Sequence, residues 1–346
     1  MTKRTFGIWG CEHGHVRIFI EEMLALGHEC VGIYEPRNTA LAASIGDKLK
    51  LPILTNRERL LQPDVDIIGS AAINNEKIDI MEQCRQHGKH IMVDKPAVTD
   101  RQSCERLQNI VESGDIEVGM LLTERFHPAI HTLKQWIDRG ELGRLVSIGM
   151  RKPHRLNPAQ RPPWFYSKEQ SGGILIDLLI HDFDLLHWLT GDEIVETNGY
   201  VGKHILPEYA EFNDTVSLQV LMRSGLTAQL YADWHTPDRS WTWGDGRIFV
   251  TGTDGFAELR LSGDPSTLTE ISALASVEGD VVVLVTGRHR ELSRIPLMNP
   301  ERTITEDFVR RIDGKPSVIG HADIVAASLA SIAADERVHL ATGKIG

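Results

Sequence analysis

Cysteine is scarce in this chain of 346 residues, which has four cysteines, at positions 11, 30, 84 and 104. Their spacing matches no zinc-binding pattern, and their density is too low for a disulfide-stabilised scaffold. The scarcity therefore excludes a small secreted disulfide fold and a cysteine-based metal site. A reducing compartment, the cytoplasm, is the location that this cysteine content predicts.

The chain also lacks a long apolar run and an excess of positive charge. No stretch reaches the about 18 consecutive apolar residues of a membrane span, and residues 1–4 lead directly into a strand pattern without a signal-peptide core. The net charge is −11 and the pI is about 5.8, whereas a nucleic-acid surface needs a concentrated basic patch. We therefore expect neither a membrane nor a nucleic acid as a partner.

The first third of the sequence alternates strand-like and helix-like segments. A chain of this length, with 41% hydrophobic and 25% charged residues, is typical of a globular protein with two domains. Amphipathic stretches separate short apolar runs at about residues 5–10, 29–34, 66–72, 89–93 and 116–122. This alternation predicts a doubly wound parallel (Rossmann) sheet over residues 1–122.

The pattern changes after an amphipathic stretch at residues 128–139. From residue 145 onward come one strand-like run, a loop and a helix-like segment at residues 172–191. Strand-like runs then follow one another without intervening helices until helical patterns return at residues 301–312 and 321–335. We therefore expect a second domain over residues 123–346, built on a largely antiparallel open sheet. The predicted fold class is α/β followed by α+β.

A glycine-containing turn follows the first predicted strand. It carries Gly10, Cys11, Glu12, His13 and Gly14, where a dinucleotide fold would place its phosphate-binding turn. In the pattern G-x-G-x-x-G the second glycine would fall at position 12, which is a glutamate, so the motif is imperfect. A turn that binds no ligand is the alternative interpretation. His13 and His15 have no third ligand at a useful spacing, so we predict no metal.

Glu35 ends the second predicted strand, about twenty residues beyond the turn. An acidic residue at this place binds the adenosine ribose of NAD. Its charge would repel the 2′-phosphate of NADP by about 1 to 4 kcal/mol, so NAD is favoured and NADP is disfavoured. Arg37 would weaken that preference. The alternative is a solvated glutamate at the end of a strand.

Two further segments carry candidate catalytic residues. Lys95 and Pro96 follow the strand that ends near residue 93, and ligands gather at the carboxyl ends of parallel strands. A lysine in a surface loop is the alternative interpretation.

Residues 172–191 read as one buried helix on which Asp177, His181 and Asp184 share a stripe at i, i+4 and i+7. Such a stripe indicates either proton-transfer chemistry or a structural polar network.

These motifs, taken in order, resemble the Gfo/Idh/MocA oxidoreductases. The resemblance rests on the N-terminal turn, on Asp94-Lys95-Pro96, and on Gly172-Gly173 followed by Asp177, His181 and Asp184. Further matches lie at residues 125–128, 140–143 and 251–255, so the resemblance covers nearly the whole chain. Two positions depart from the family pattern. Glu12 replaces a glycine, and Lys77 stands where members of the family often have a histidine.

The resemblance implies a dehydrogenase that uses NAD to oxidise a secondary alcohol of a sugar, polyol or sugar acid. His181 would be the general base, Asp177 would bind substrate or tune His181, and Lys95 would hydrogen-bond the reacting oxygen. The cofactor would contact residues 10–14, Glu35, Lys95 and Pro96. A homodimer or homotetramer assembled through the second domain is also implied.

Substrate contacts are assigned to polar and aromatic residues of the second domain, namely Asp184, Arg155, Trp164 and His235, with Trp241 and Trp243 as further stacking surfaces. Arginine can bind a carboxylate through two hydrogen bonds, and tryptophan can stack on a sugar ring. The alternative is that the arginine is solvated in a basic loop and that the tryptophans belong to the core or to a subunit interface. Two other functions stay open: a non-redox nucleotide-binding regulator on the same fold, and a lyase or hydrolase that uses NAD without net redox change.

Overall fold

The structure is a computed structural model that describes residues 2–237, 246–261, 280–286 and 293–341. Its contacts divide the chain into two compact units. The first unit comprises residues 1–122, 168–172 and 302–332, and the second comprises residues 123–167, 173–301 and 333–346. Within the described ranges, no helix has the length and apolar character needed to cross a membrane.

The first unit contains a five-stranded parallel sheet, as the sequence predicts. Its strands are β1 Thr5–Cys11, β2 Glu29–Tyr34, β3 Ile67–Ala71, β4 His90–Val93 and β5 Val118–Met120. Their order in the sheet is β2-β1-β3-β4-β5, and every neighbouring pair is parallel. All five residues of β3 are buried, because helices cover both faces of a doubly wound sheet.

Two of the four crossover helices of this unit, α2 and α4, begin at a side chain that caps the helix. They are α1 Val16–Ala25, α2 Thr39–Leu49, α3 Lys77–Gln86 and α4 Arg101–Ser113. The Asn38 side chain accepts a hydrogen bond from the amide of Leu41 at the start of α2. At the start of α4, Asp100 and Ser103 form a reciprocal capping box.

The helices that follow in the chain are α5 Pro128–Asp138, α6 Lys168–Ser171, α7 Gly173–Asp177 and α8 Ile180–Thr190. The single buried helix expected over residues 172–191 is therefore wrong, because it is interrupted between α7 and α8. The Leu179 amide bonds to the carbonyl of Ile174, five residues back, and the turn widens there. Gly191 ends α8 in a left-handed conformation with φ of 64°, as expected of a helix-terminating glycine.

The second unit contains a nine-stranded sheet that is largely antiparallel, as predicted. Its strands are β6 Leu145–Pro153, β7 Ile194–Gly202, β8 Thr215–Met222, β9 Thr227–Asp233, β10 Arg247–Gly252, β11 Gly255–Arg260, β12 Val281–Thr286, β13 Ser293–Ile295 and β14 His339–Leu340. Their order is β13-β12-β11-β10-β6-β9-β8-β7-β14, with parallel pairing between β6 and β9 and between β7 and β14. Burial alternates along β8, so one face of the sheet is packed and the other is open.

Residues 302–332 pack with the first unit and residues 333–346 with the second, whereas the sequence analysis assigns residues 123–346 to one domain. Helices α9 Ile304–Ile312 and α10 His321–Arg337 follow the last long strands. The Arg311 guanidinium donates to the carbonyl of Val118 at 2.5 Å, and Phe308 lies against Gly119 on the edge strand β5. An amphipathic helix can pack on any sheet face that fits its apolar side. The order of the chain therefore does not determine which of the two units the helix joins.

Candidate active site

The turn between β1 and α1 is tight on one side and open on the other. Gly10 has φ of 87°, and a Cβ there would lie 2.6 Å from the Cβ of Ala72, so only glycine fits. A Cβ on Gly14 would meet nothing within 4 Å. Two amides in the first turn of α1 already have acceptors, because Arg17 donates to the carbonyl of Gly14 at 3.1 Å and Ile18 donates to that of His15 at 2.9 Å. The turn therefore offers room for an anionic group beside Gly14.

Glu35 holds this turn in place. One carboxylate oxygen accepts the Cys11 amide at 2.5 Å, and the other accepts the amides of Arg37 at 2.7 Å and Asn38 at 3.1 Å. The side chain is buried, so the interpretation as a solvated strand-end glutamate is wrong. Burial, with the nearby charges of Glu35 and Glu12, raises the pKa of the Cys11 thiol to about 12.

Glu12, the departure from the glycine pattern, points toward Arg37. Its Oε1 accepts a hydrogen bond from Arg37 Nε at 3.0 Å, and Arg37 also binds both oxygens of Glu76 at 2.8 and 2.6 Å. The Glu12 amide donates to the carbonyl of Ala71 at 2.8 Å. The hydrogen bonds to Glu76 raise the pKa of Arg37 most, and the charges of Glu12 and Glu35 add to this effect against the opposing effect of burial. The formal charge of this group of four side chains is negative.

Asp94 brings together the two histidines of the turn. His13 Nδ1 lies 3.0 Å from Asp94 Oδ2, and His15 Nδ1 lies 3.3 Å from Asp94 Oδ1. Burial alone would raise the pKa of Asp94, but His15 and His13 hold it well below its ordinary value. The three side chains could hold a metal ion. The sequence missed this third group because Asp94 follows a different strand of the same parallel sheet.

Lys77 is a buried ammonium that braces the segment containing Lys95. Its Nζ donates to Asn74 Oδ1 at 2.8 Å, to the carbonyl of Asp94 at 2.8 Å and to that of Pro96 at 3.0 Å. The sequence analysis identifies Lys77 only as a departure from the family pattern and assigns it no such structural contacts. Lys95 itself is buried, so the interpretation as a surface-loop lysine is wrong.

In the second unit, the three residues of the expected stripe have different surroundings. His181 at the start of α8 is 8% exposed, and Asp177 at the end of α7 is half-buried. Asp184 is instead bound by Arg125, with Nε to Oδ2 at 2.9 Å and Nη2 to Oδ1 at 2.5 Å, and both side chains are 1% exposed. Asp184 therefore belongs to a buried ion pair, which corrects its assignment as a substrate contact.

An ionic network that the sequence did not predict adjoins His181. The Lys152 ammonium binds Glu124 and lies 3.0 Å from Asp182. Burial, reinforced by Glu124, raises the pKa of Asp182 to about 6 against the opposing effect of Lys152. Although burial opposes it, Lys152 and then His181 lower the pKa of Glu124 to about 2. The only sequence signal was Asp182 itself, which adjoins His181 on a buried helix.

The remaining predicted substrate residues lie in the second unit. Arg155 is buried and forms an isolated antiparallel bridge with His235. Trp164 is buried in an aromatic cluster, 6.4 Å between ring centroids from Phe165. His235 Nε2 lies 3.0 Å from Asp214 Oδ1. Trp241 and Trp243 fall outside the described residues.

Two family models match most of the chain. The model for the oxidoreductase family, NAD-binding Rossmann fold, matches residues 5–120, and the model for the GFO/IDH/MocA C-terminal domain matches residues 130–258. The chain belongs to the Gfo/Idh/MocA oxidoreductase family. The resemblance that its motifs indicated is confirmed, and its first unit carries the NAD-binding domain of that family.

Relatives in the Gfo/Idh/MocA family include inositol dehydrogenases. Inositol 2-dehydrogenase of Rhizobium meliloti is 28% identical over 195 residues, which are 56% of this chain and 56% of that protein. scyllo-Inositol 2-dehydrogenase (NAD(+)) of Bacillus subtilis is 28% identical over 204 residues, 57% of this chain and 56% of that protein. The chain thus aligns with just over half the length of these two relatives.

Solved structures of the same fold cover nearly the whole chain. The aldose-aldose oxidoreductase from Caulobacter crescentus superposes with a TM-score of 0.79 at 18% identity, covering 97% of each chain. Levoglucosan dehydrogenase, in a complex with NADH, gives a TM-score of 0.78 at 17% identity, also covering 97% of each chain. At these identities the similarity establishes the Gfo/Idh/MocA fold.

Proposed function

We propose that this protein is an NAD-dependent dehydrogenase that oxidises a secondary alcohol of a sugar, polyol or sugar acid. The observation that supports this most is that one chain contains an NAD-binding domain together with Lys95, Asp177 and His181, which are residue types suited to proton transfer. Relatives named inositol 2-dehydrogenase and D-xylose dehydrogenase favour polyols and sugars as the substrate class. They disfavour the two alternatives, a non-redox regulator and a redox-neutral lyase or hydrolase.

The residues present at the turn fit a dinucleotide. We propose that residues 10–14 hold the pyrophosphate, supported by the open space beside Gly14. Glu35 would take a ribose hydroxyl, and Lys95 and Pro96 would contact the nicotinamide end. When bound, the nicotinamide supplies the hydride-accepting chemistry.

The chain's own residues would orient the substrate and accept the proton of its hydroxyl group. In this proposal His181 accepts the proton of the substrate hydroxyl while a hydride leaves the carbon that bears this hydroxyl. The alcohol thus loses two electrons and two hydrogens and becomes a ketone. Lys95 donates a hydrogen bond to the reacting oxygen and stabilises its charge. Asp177 binds substrate or tunes His181, and Arg155 and Trp164 contribute to the substrate pocket.

NAD rather than NADP is the proposed cofactor. The carboxylates of Glu12, Glu35 and Glu76 outnumber the guanidinium of Arg37, so a 2′-phosphate would enter a negative field. NAD should therefore raise the melting temperature more than NADP does. Glu76→Gln should narrow this difference, because Glu76 is exposed and carries no backbone contact of the turn. Greater stabilisation of the unaltered protein by NADP would overturn the preference.

A substrate panel tests the activity itself. Purified protein with NAD is given inositols, pentoses, hexoses and sugar acids, and formation of the reduced nicotinamide is followed by its absorbance. Dehydrogenation of at least one polyol or sugar is expected. Product formation without any change in nicotinamide absorbance would instead support the redox-neutral function, and nucleotide binding without turnover on the whole panel would support a regulator.

We also propose a homodimer or homotetramer in a reducing, cytoplasmic compartment, without a nucleic-acid partner. The four cysteines are free thiols, three of them buried, which suits a reducing environment. The open face of the nine-stranded sheet suits self-association.

A further inference from the structure

Three strand ends of the second unit meet at one edge of the nine-stranded sheet. In the antiparallel pairs, Gly202 of β7 lies opposite Thr215 of β8, and Thr215 lies opposite Asp233 of β9. The residues just beyond these ends are His204, Asp214 and His235. The sheet register therefore brings together side chains that are far apart in sequence.

The two imidazoles converge on one oxygen of Asp214. His204 Nδ1 lies 2.7 Å from Asp214 Oδ1, and His235 Nε2 lies 3.0 Å from the same oxygen. One nitrogen or oxygen from each of the three side chains falls within 4.8 Å of the others. Two imidazole nitrogens and a carboxylate oxygen form a ligand set used by Zn²⁺ and related divalent ions, whereas Ca²⁺ and Mg²⁺ prefer oxygen ligands alone.

The carboxylate of Asp214 is fixed by its other contacts. Its Oδ2 accepts the amides of His204 at 2.6 Å and Ile205 at 2.8 Å, and the side chain is fully buried. The backbone of Asp214 is anchored on both sides, to the carbonyl of Gly202 and the amide of Trp234. Such outer contacts orient a ligating carboxylate and leave Oδ1 directed at the histidines.

The histidines, in contrast, are accessible and adjustable. The His204 side chain is 59% exposed and that of His235 is 37% exposed. Ligand atoms of a tetrahedral zinc site lie about 3.3 Å apart, so a bound ion requires the rings to withdraw by a few tenths of an ångström. Exposed rings can make that movement, and a solvent molecule can supply a fourth ligand.

We propose that His204, Asp214 and His235 form a binding site for a divalent transition-metal ion of the Zn²⁺ type. His204 Nδ1 and His235 Nε2 bind the ion in their unprotonated form, so a proton on either nitrogen moves to the other nitrogen of its ring or to solvent when the ion enters. The ion stabilises the junction of β7, β8 and β9. The inference does not depend on the proposed function.

The test uses tag-free full-length protein stripped with a chelator. Calorimetric titration with Zn²⁺ and absorption titration with Co²⁺ should show one ion per chain and a rise in melting temperature. His204→Ala and His235→Ala should each weaken binding by at least about tenfold and remove the thermal shift. His339→Ala, which changes an exposed histidine elsewhere in the same unit, should bind as the parent does.

Two further variants keep the test decisive. His204→Gln retains a hydrogen-bonding side chain beside Asp214 but is a poor zinc ligand, so it should fold and lose the ion even if His204→Ala is unstable. The double variant His13→Ala/His15→Ala removes the histidines near Asp94 and should retain the ion. Absence of binding in the parent, retention of the ion in His204→Gln, or its loss in the double variant would each overturn the proposal.

Discussion

Asp184 illustrates how a partner distant in sequence determines the role of a residue. The spacing of Asp184 from His181 suggested a functional stripe, but Arg125 binds both oxygens of Asp184 in a region with almost no exposure. Taking two charges out of water costs several kcal/mol per ion, and good bidentate geometry offsets this cost. The pair is therefore sensitive to the loss of either member.

Asp184→Asn should lower the free energy of unfolding by about 3 to 5 kcal/mol, because the Arg125 charge stays buried without its carboxylate. Urea denaturation measures this loss. Glu193→Gln is a matched control, since Glu193 pairs with Arg223 at the surface and should leave stability nearly unchanged. If Asp184→Asn unfolds like the parent but loses affinity for substrate, Asp184 is a substrate contact after all.

His181→Asn should lower kcat by about 10²-fold or more, the usual contribution of a general base, once a substrate is known. NAD affinity should stay nearly constant, because the proposed cofactor residues lie in the first unit. Lys95→Ala should also reduce turnover, and Asp177→Asn should weaken substrate binding and rate together. Single-turnover hydride transfer and melting temperature are measured for each variant. A variant at His181 that keeps its turnover but melts well below the parent would contradict the assignment.

The Asp182 carboxyl should impose a pH dependence on stability. Because burial and Glu124 raise its pKa from 3.8 to about 6, the folded state holds this proton more tightly than the unfolded state does. The contribution of Asp182 to stability therefore falls as pH rises from about 4 to about 6, by about 1 to 3 kcal/mol. Glu124 has the opposite sign, but its pKa of about 2 confines its effect to pH below about 4.5.

Unfolding free energies at pH 5 and pH 7, for the parent and for Asp182→Asn, isolate this contribution. The ordinary pKa of histidine, about 6.5, also lies in this interval, so the difference between the two proteins is the relevant quantity. Asp182→Asn should gain stability relative to the parent at pH 7 compared with pH 5. Parallel pH profiles for the two proteins would show that Asp182 does not titrate there.

At the scale of elements, the sequence predicted strands better than helix continuity. Buried parallel strands such as Ile67–Ala71 are short apolar runs between polar turns, and this pattern is hard to confuse with another. The segment at residues 172–191 carries apolar residues on almost every side. Its periodicity therefore contains no signal for the interruption between Asp177 and Ile180. Packing around the segment, which the sequence does not encode locally, decides where the helix breaks.

The candidate site shows the same division between local and distant information. The turn at residues 10–14 and the segment at residues 94–96 were found from local motifs. Their connections were not: Asp94 joins His13 from 81 residues away, and Lys77 reaches carbonyls up to 19 residues away. Local spacing identifies candidate groups, whereas the strand order of the sheet determines which of them meet.

At the scale of the whole molecule, the open face of the nine-stranded sheet needs an explanation. Register places Tyr200, Leu221, Tyr231 and Phe249 on this face, and Phe249 stacks on Phe256 at 6.5 Å between ring centroids. Tyr200 is 60% exposed and Leu221 is 37% exposed. Apolar groups spread over one open sheet face commonly mark a protein–protein contact.

We therefore expect a dimer, or a tetramer built from two dimers, at micromolar concentration in light scattering, with the open face as the interface. Phe249→Glu should convert the assembly to monomers, because a carboxylate buried in an apolar interface loses its hydration without gaining a partner. Ile53→Glu is the control, since Ile53 is also an exposed apolar residue but belongs to the first unit. A parent protein that is monomeric would contradict self-association itself. An assembly that survives Phe249→Glu but dissociates in Ile53→Glu would move the interface to the first unit, and the open sheet face would then need another occupant.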